Sequence, residues 1–233
     1  LDLVAATPSI EHQQIERLSA SALKAAETAA EVSKLLLTYL GSAPCEFSVL
    51  DLARLCRDHH PILRASIPEG IDFRVGVLRS GLMVRGNAGQ LQQMLSNLIT
   101  NAWEACLEGQ GCVSLEMATV DGAAMPAGHR FPLDFHAEPI DYVCLQVRDS
   151  GVGIKEQDIV RLFDPFFSSK FTGRGMGLPA VLGIVRAHKG AIVVESGEGQ
   201  GSLFAVYLPL VKATGVQQPA AAFVAMSPAA SGT

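Results

Sequence analysis

The sequence predicts an α+β protein in which a long helical arm leads into a domain of mixed helices and strands. Three observations carry this. An apolar seam of four heptads runs through residues 15–39. Hairpin-type strand pairs are bounded by glycine turns. Helices and strands alternate without the regular strand–helix–strand order of a doubly wound sheet.

The arm comes first. Ile15, Leu18, Ala22, Ala25, Ala29, Val32, Leu36 and Tyr39 recur at spacings of three and four, which places them on one helical stripe. Thr7 followed by Pro8 starts the helix, and Gly41 ends it. About 30 residues of helix span about 45 Å. One helix cannot bury that stripe alone, so a hairpin or dimer partner is expected. Leu1–Ala6 reads as the tail of the partner helix. Residues 1–43 are therefore predicted to form a helical hairpin with its first helix cut short.

Residues 44–210 form the second unit. Leu50–Leu63 reads as a helix. Ile71–Val77 and Leu82–Val84 read as strands around Gly81. Gln90–Leu107 reads as a strong helix, because Leu91, Met94, Leu95, Leu98, Ile99, Ala102 and Ala105 cover one face. Val113–Val120 and Tyr142–Arg148 alternate as strands. The connection Asp121–Asp141 contains Pro and Gly, is long for a hairpin, and is expected to be exposed. Leu178–His188 reads as a helix with His188 at its cap. Ala191–Ser196 and Ser202–Leu208 form a closing hairpin around the glycine-rich turn at 197–201. Residues 211–233, with no charge after Lys212, read as a linker or flexible tail.

Composition bounds the function. Lys and Arg total 18 against 23 Asp and Glu, a net charge of −5 with no basic tract. This argues against a nucleic-acid binder that works by neutralising phosphates. A nucleotide ligand is still allowed, since backbone N–H groups and a few cations suffice. No apolar run reaches 18 residues, so no membrane span is expected. The 5 cysteines are odd in number and lack Cys-x-x-Cys spacing, which points to reduced thiols of a cytoplasmic protein. Leu1 is not Met, so a longer parent is expected, with its membrane attachment left open.

Four blocks carry chemistry. Asn97 and Asn101 lie four apart on one helix face, where amide oxygens can serve Mg²⁺. Asp149-Ser150-Gly151-Val152-Gly153 follows a strand, where a carboxylate can accept from an exocyclic amine. Leu162–Lys170 offers aromatics and a cation that can reach a phosphate. Gly173–Pro179 leads into a helix N-terminus, a natural anion site, although it is neither a P-loop nor a dinucleotide fingerprint. Each block alone is better explained by packing, a turn or a solvated helix face.

Taken in order, they resemble one family. Asn97-x-x-x-Asn101-Ala102, Asp149-x-Gly151-x-Gly153, Phe163-x-Pro165-Phe166-Phe167, Gly173-x-Gly175-x-Gly177-Leu178 and Gly199-x-Gly201-Ser202-x-Phe204 look like the N, first glycine, F, second glycine and third glycine boxes of sensor histidine kinases. Gly183–Gly190 also matches. The resemblance implies a Bergerat-type ATP-binding fold, a mixed-sheet α/β sandwich. Asp149 would hold the adenine amine, with Ser202 nearby through water. Asn101 and Asn97 would reach Mg²⁺ and phosphates. Gly175, Gly177 and Leu178 would meet phosphates, and Phe166, Lys170 and Arg174 would belong to a mobile lid. Gly151 and Gly153 would belong to the same ATP site. Residues 1–43 would then be the dimerisation hairpin of a homodimer, and the partner would be a response-regulator receiver domain.

Some positions depart from the pattern. Glu104 stands where many relatives have Lys or Arg. Arg174 and Met176 replace a small polar residue and Leu. Asn97 occupies the place of the water-activating Glu in ATP-hydrolysing relatives, which favours transfer over hydrolysis. None of the six histidines (His12, His59, His60, His129, His136 and His188) has the acceptor setting of the family, so the acceptor is expected just upstream of Leu1. The resulting expectation is a histidine kinase core that binds ATP and Mg²⁺ and phosphorylates that upstream His. The rival expectation is a non-catalytic phosphotransfer or scaffold protein with a vestigial ATP site.

Overall fold

In the computed structural model of the chain, the described residues are 46–76, 78–106, 110–126, 128–167 and 176–212, with 15, 17–19, 22 and 23. The six early residues are helical, and Ile15 and Leu18 of the predicted seam are exposed. The rest of the predicted hairpin, and the tail from residue 213, lie outside the described residues.

Strand β1 (Ser48–Asp51) leads into helix α1 (Leu52–Ser66), followed by β2 (Ile71–Val75) and β3 (Met83–Gly86). Helix α2 (Ala88–Ala105) precedes β4 (Gly111–Asp121). A 3-10 turn at Gly122–Ala124 and β5 (His129–Phe131) lead to β6 (Asp141–Asp149). The short helix α3 (Glu156–Ile159), helix α4 (Gly177–Ala187), β7 (Ala191–Ser196) and β8 (Ser202–Pro209) complete the order.

Six strands form one mixed sheet in the order β2-β4-β6-β8-β7-β5. Its β2–β4 pair is parallel and its other pairs are antiparallel. The main core joins one face of this sheet to the helices. Val143, Leu145 and Val147 of β6 and Phe204, Val206 and Leu208 of β8 pack with Leu91, Leu95, Leu98 and Ile99 of α2 and Val181, Ile184 and Val185 of α4. The alternate residues Tyr142, Cys144, Ala205 and Tyr207 face the other way, as the period of two requires. That face is covered in part by Met125, Phe135, Ala137 and Ile140 of the β4–β6 connection.

Several boundaries differ from expectation. Leu50 was expected to open the first helix, yet it belongs to β1, and the helix begins at Leu52. Asp51 decides this. Its Oδ1 accepts from Ala53 and Arg54 N–H at 3.0 and 3.2 Å, and its Oδ2 accepts from Gly81 N–H at 2.9 Å. These bonds cap the helix and hold the carboxyl below the usual carboxylate range, against the opposing effect of burial. The β4–β6 connection was expected to be exposed, and most of its described residues are exposed or half-buried. It nevertheless buries Met125 and Phe131, and its β5 pairs with β7 at the sheet edge.

Strand β3 holds both ends of the domain. It pairs antiparallel with β1 from Ser48↔Gly86 to Asp51↔Met83. On its other edge Val84 bridges Leu210, also antiparallel, and Val211 N–H donates to the Met83 carbonyl at 2.8 Å.

Candidate functional site

The end of the sheet nearest the glycine turns carries a polar row on an otherwise apolar face. Register aligns Val113 with Asp149, Asp149 with Ser202, and Ser202 with Ser196. Asp149 and Ser202 are only 5% and 4% exposed. A buried carboxylate needs hydrogen-bond partners, and Gly151 N–H donates to Asp149 Oδ1 at 2.8 Å.

Backbone contacts fix the loop after Asp149. Ser150 N–H donates to the Cys112 carbonyl at 3.0 Å, and Ser150 Oγ accepts from Cys112 N–H at 2.9 Å. Val152 N–H donates to the Ala105 carbonyl at the end of α2. Gly199 N–H donates to the Val152 carbonyl at 2.7 Å. The glycines are required by this crowding. At Gly153, with φ +70°, a Cβ would stand 1.9 Å from the Gly197 carbonyl oxygen. At Gly201, with φ +74°, it would stand 2.1 Å from the Asp149 carbonyl oxygen. Gly151 is equally tight against the Ala105 carbonyl, at 2.4 Å.

A second group meets at the start of α4. Asn97 Nδ2 donates to the Gly177 carbonyl at 3.3 Å. The Asn101 amide atoms lie 3.6 and 3.8 Å from where a Gly177 Cβ would be. Both asparagines are half-buried, as one helix face at spacing four predicts. Met176 precedes the helix and makes no side-chain cap bond, so the first-turn N–H groups are left to other acceptors. Pro179 lies in that same first turn, where its missing N–H costs no helical bond. Leu178 packs against the core.

The structure thus brings Asp149, Gly151, Gly153 and Ser202 together, and Asn97, Asn101 and Gly177 together. Lys170, Arg174 and Gly175 lie outside the described residues. Phe166 is 67% exposed and has a positive φ of 67°, unusual for a bulky residue. Phe163 is buried against Phe131, with ring centroids 4.6 Å apart. Among the described residues no cluster of three His, Cys, Asp or Glu could hold a metal ion by itself. The oxygen donors near Gly177 are amides, which fit a hard cation shared with phosphate oxygens.

Two residues escaped the sequence reading. Ser196 lies at the end of the polar row, and its Oγ accepts from Ile154 N–H at 2.9 Å. Asn87 caps α2 by accepting from Gln90 N–H at 3.0 Å and donates from Nδ2 to the Glu46 carbonyl at 3.1 Å. The available signal for Ser196 was a serine pair flanking a glycine turn.

The described histidines all have structural partners. His188 does terminate α4. Its Nδ1 lies 2.7 Å from the Ile184 carbonyl, and its Nε2 accepts from Asn87 N–H at 3.1 Å. Burial pushes its pKa down, and the Ile184 bond opposes that shift. His59 Nε2 lies 3.0 Å from Ser96 Oγ, and His60 stacks on Phe73. His129 meets Glu156 Oε1 at 2.8 Å, and His136 meets the Asp134 carbonyl.

Comparison with known proteins identifies the family. Residues 86–212 match the family described as histidine kinase-, DNA gyrase B-, and HSP90-like ATPase. The chain belongs to that family, and its ATP-binding domain is of the sensor histidine kinase type. It is 31% identical over 187 residues to the sensor kinase CckA of Brucella abortus, covering 79% of this chain and 19% of that protein. It is 33% identical over 130 residues to Sporulation kinase C of Bacillus subtilis, covering 56% of this chain and 26% of that one. The chain therefore spans about a fifth to a quarter of these relatives. Among solved structures, the nucleotide-free catalytic domain of the histidine kinase ThkA aligns with a TM-score of 0.55 at 26% identity, covering 71% of this chain and 96% of that one. Full-length ShkA in complex with AMPPNP shares the fold, with a TM-score of 0.60 at 24% identity, covering 85% of this chain and 40% of that one. No helix among the described residues is long and apolar enough to cross a membrane.

Proposed function

We propose that residues 44–210 bind ATP with Mg²⁺ and deliver the γ-phosphoryl group to a histidine of a dimerisation hairpin. A receiver-domain aspartate then takes that group from the histidine. The observation that carries this reading is the buried Asp149 carboxylate in one row with Ser202, at the strand end beside α2.

A carboxylate there can accept from an exocyclic amine such as that of adenine. The glycines at 151 and 153 hold the loop that positions Asp149, because protein backbone fills the space of their side chains. The start of α4, where Met176 supplies no side-chain cap, offers N–H groups to phosphate oxygens, and Gly177 keeps that approach open to Asn97 and Asn101. When bound, Mg²⁺ would neutralise charge on the phosphates, with Asn101 and Asn97 as its protein ligands. Phe166, Lys170 and Arg174 are proposed lid residues, and Gly175 is proposed to offer its N–H to a phosphate. Asn97 has no basic group for activating water, which favours transfer over hydrolysis. Residues 1–43 are proposed to dimerise, residues 211–233 to act as a linker, and the domain to work in the cytoplasm.

Binding of a fluorescent ATP analogue to the chain and to Asp149→Asn tests this reading. At least a tenfold loss is expected, since a charged hydrogen bond contributes about 1.5–3 kcal/mol. Equal, tight binding by both would sink the role of Asp149. No binding at millimolar ATP would instead favour a vestigial site.

A further inference from the structure

We propose that Ser196 is the positioning residue for base recognition, tying the loop after Asp149 to the loop before Ser202. The inference rests on the ATP-binding reading above and adds a residue to it. Ser196 Oγ lies within 2.9 Å of Ile154 N–H, 2.9 Å of the Gly201 carbonyl and 3.0 Å of Ser202 Oγ. A single hydroxyl thereby joins both glycine turns.

The proton count makes this more than a brace. Ser196 has one proton and two lone pairs. It accepts from Ile154 N–H, so its proton goes to Gly201 or to Ser202. If Gly201 takes the proton, Ser202 returns its own proton to Ser196 and presents lone pairs outward. If Ser202 takes it, the Ser202 proton points outward. In either case Ser196 sets what Ser202 offers beside Asp149. The partners are otherwise backbone groups held by crowded glycines, so the hydroxyl is the adjustable element. Its removal leaves Ile154 N–H without its acceptor and Ser202 free to rotate.

The test uses the whole chain with Ser196→Ala and Ser196→Thr. Each variant is titrated with ATP and with purine riboside triphosphate, which lacks the exocyclic amine. Ser196→Ala is expected to bind ATP about tenfold more weakly, the size of one lost buried hydrogen bond. Its affinity for the amine-free nucleotide should change by less than about twofold, because most of the loss falls on base recognition. Ser196→Thr keeps the hydroxyl and should restore ATP affinity. Equal weakening for both nucleotides would overturn the proposal, as would unchanged ATP binding. Failure of the unmodified chain to bind ATP would sink the parent reading and this one together. Amide hydrogen exchange at Ile154 in the nucleotide-free chain gives a separate readout. Protection should be lost in Ser196→Ala and kept in Ser196→Thr, and protection in both would overturn the clamp whatever the nucleotide data.

Discussion

Replacing Gly201 by Ala should cost far more stability than the same change at Gly199, two residues away. The two glycines have nearly the same left-handed φ, +74° and +71°. Alanine at either position therefore pays a similar backbone penalty of about 1 kcal/mol. Their surroundings differ. A Cβ at Gly199 meets nothing within 4 Å, whereas one at Gly201 meets the Asp149 carbonyl oxygen at 2.1 Å and the Ser150 Cα at 3.1 Å. Both obstacles are backbone, so neither can rotate away. Relieving them requires β6 and β8 to separate at their end, an overpacking cost of about 2 kcal/mol. The expected losses are about 1 kcal/mol for Gly199→Ala and about 3 kcal/mol for Gly201→Ala. In a domain of this size that corresponds to falls in Tm of about 3 °C and about 9 °C. Urea and thermal unfolding followed by circular dichroism would measure both, with the m-value checked for constancy. Equal losses would refute the reasoning, because only the steric difference separates the two sites.

Two further expectations follow from histidine burial and from a helix cap. Burial lowers the pKa of both His59 and His188, so the folded chain keeps them neutral where the unfolded chain takes up protons. The unfolded state then binds more protons below about pH 6.5, and stability should fall as pH drops, by at most about 1.4 kcal/mol per pH unit for each histidine. A flat urea midpoint between pH 7.5 and 5.5 would contradict this. Asn87→Ala should cost about 1 kcal/mol through loss of the α2 cap. A midpoint equal to that of the parent chain would show that the cap bond to Gln90 contributes nothing.

Helix α2 was legible to within two residues at each end, because Leu91, Met94, Leu95, Leu98 and Ile99 recur at helical spacing and all are fully buried. The same is true of β6–β8, where strict alternation separates Val143, Leu145 and Val147 from Tyr142 and Cys144. Asn97, Asn101 and Asp149 were legible only through the order of the boxes, since each has an ordinary structural explanation alone. Strand β1 was not legible, because its partner β3 lies more than 30 residues on and its first two residues are exposed. Strand β5 has three residues and depends wholly on the edge of β7. Asn87 and His188 meet across 101 residues, a separation that no local pattern records. Ser196 shares that difficulty, since its partner Ile154 lies 42 residues away.

The sharing of β3 by both ends of the domain has a mechanical consequence. Both β1 and the Leu210–Val211 segment run antiparallel to β3, and so parallel to each other. The chain enters beside Gly86 and leaves beside Met83. Tension applied between Glu46 and Lys212 therefore draws the two flanking segments in opposite directions along β3. The interstrand hydrogen bonds lie across that pull and are loaded together in shear, not unzipped one at a time. A displacement arriving at Glu46 is thus borne first by β3 and by the Asn87 contact, which sits at the start of the helix that carries Asn97 and Asn101.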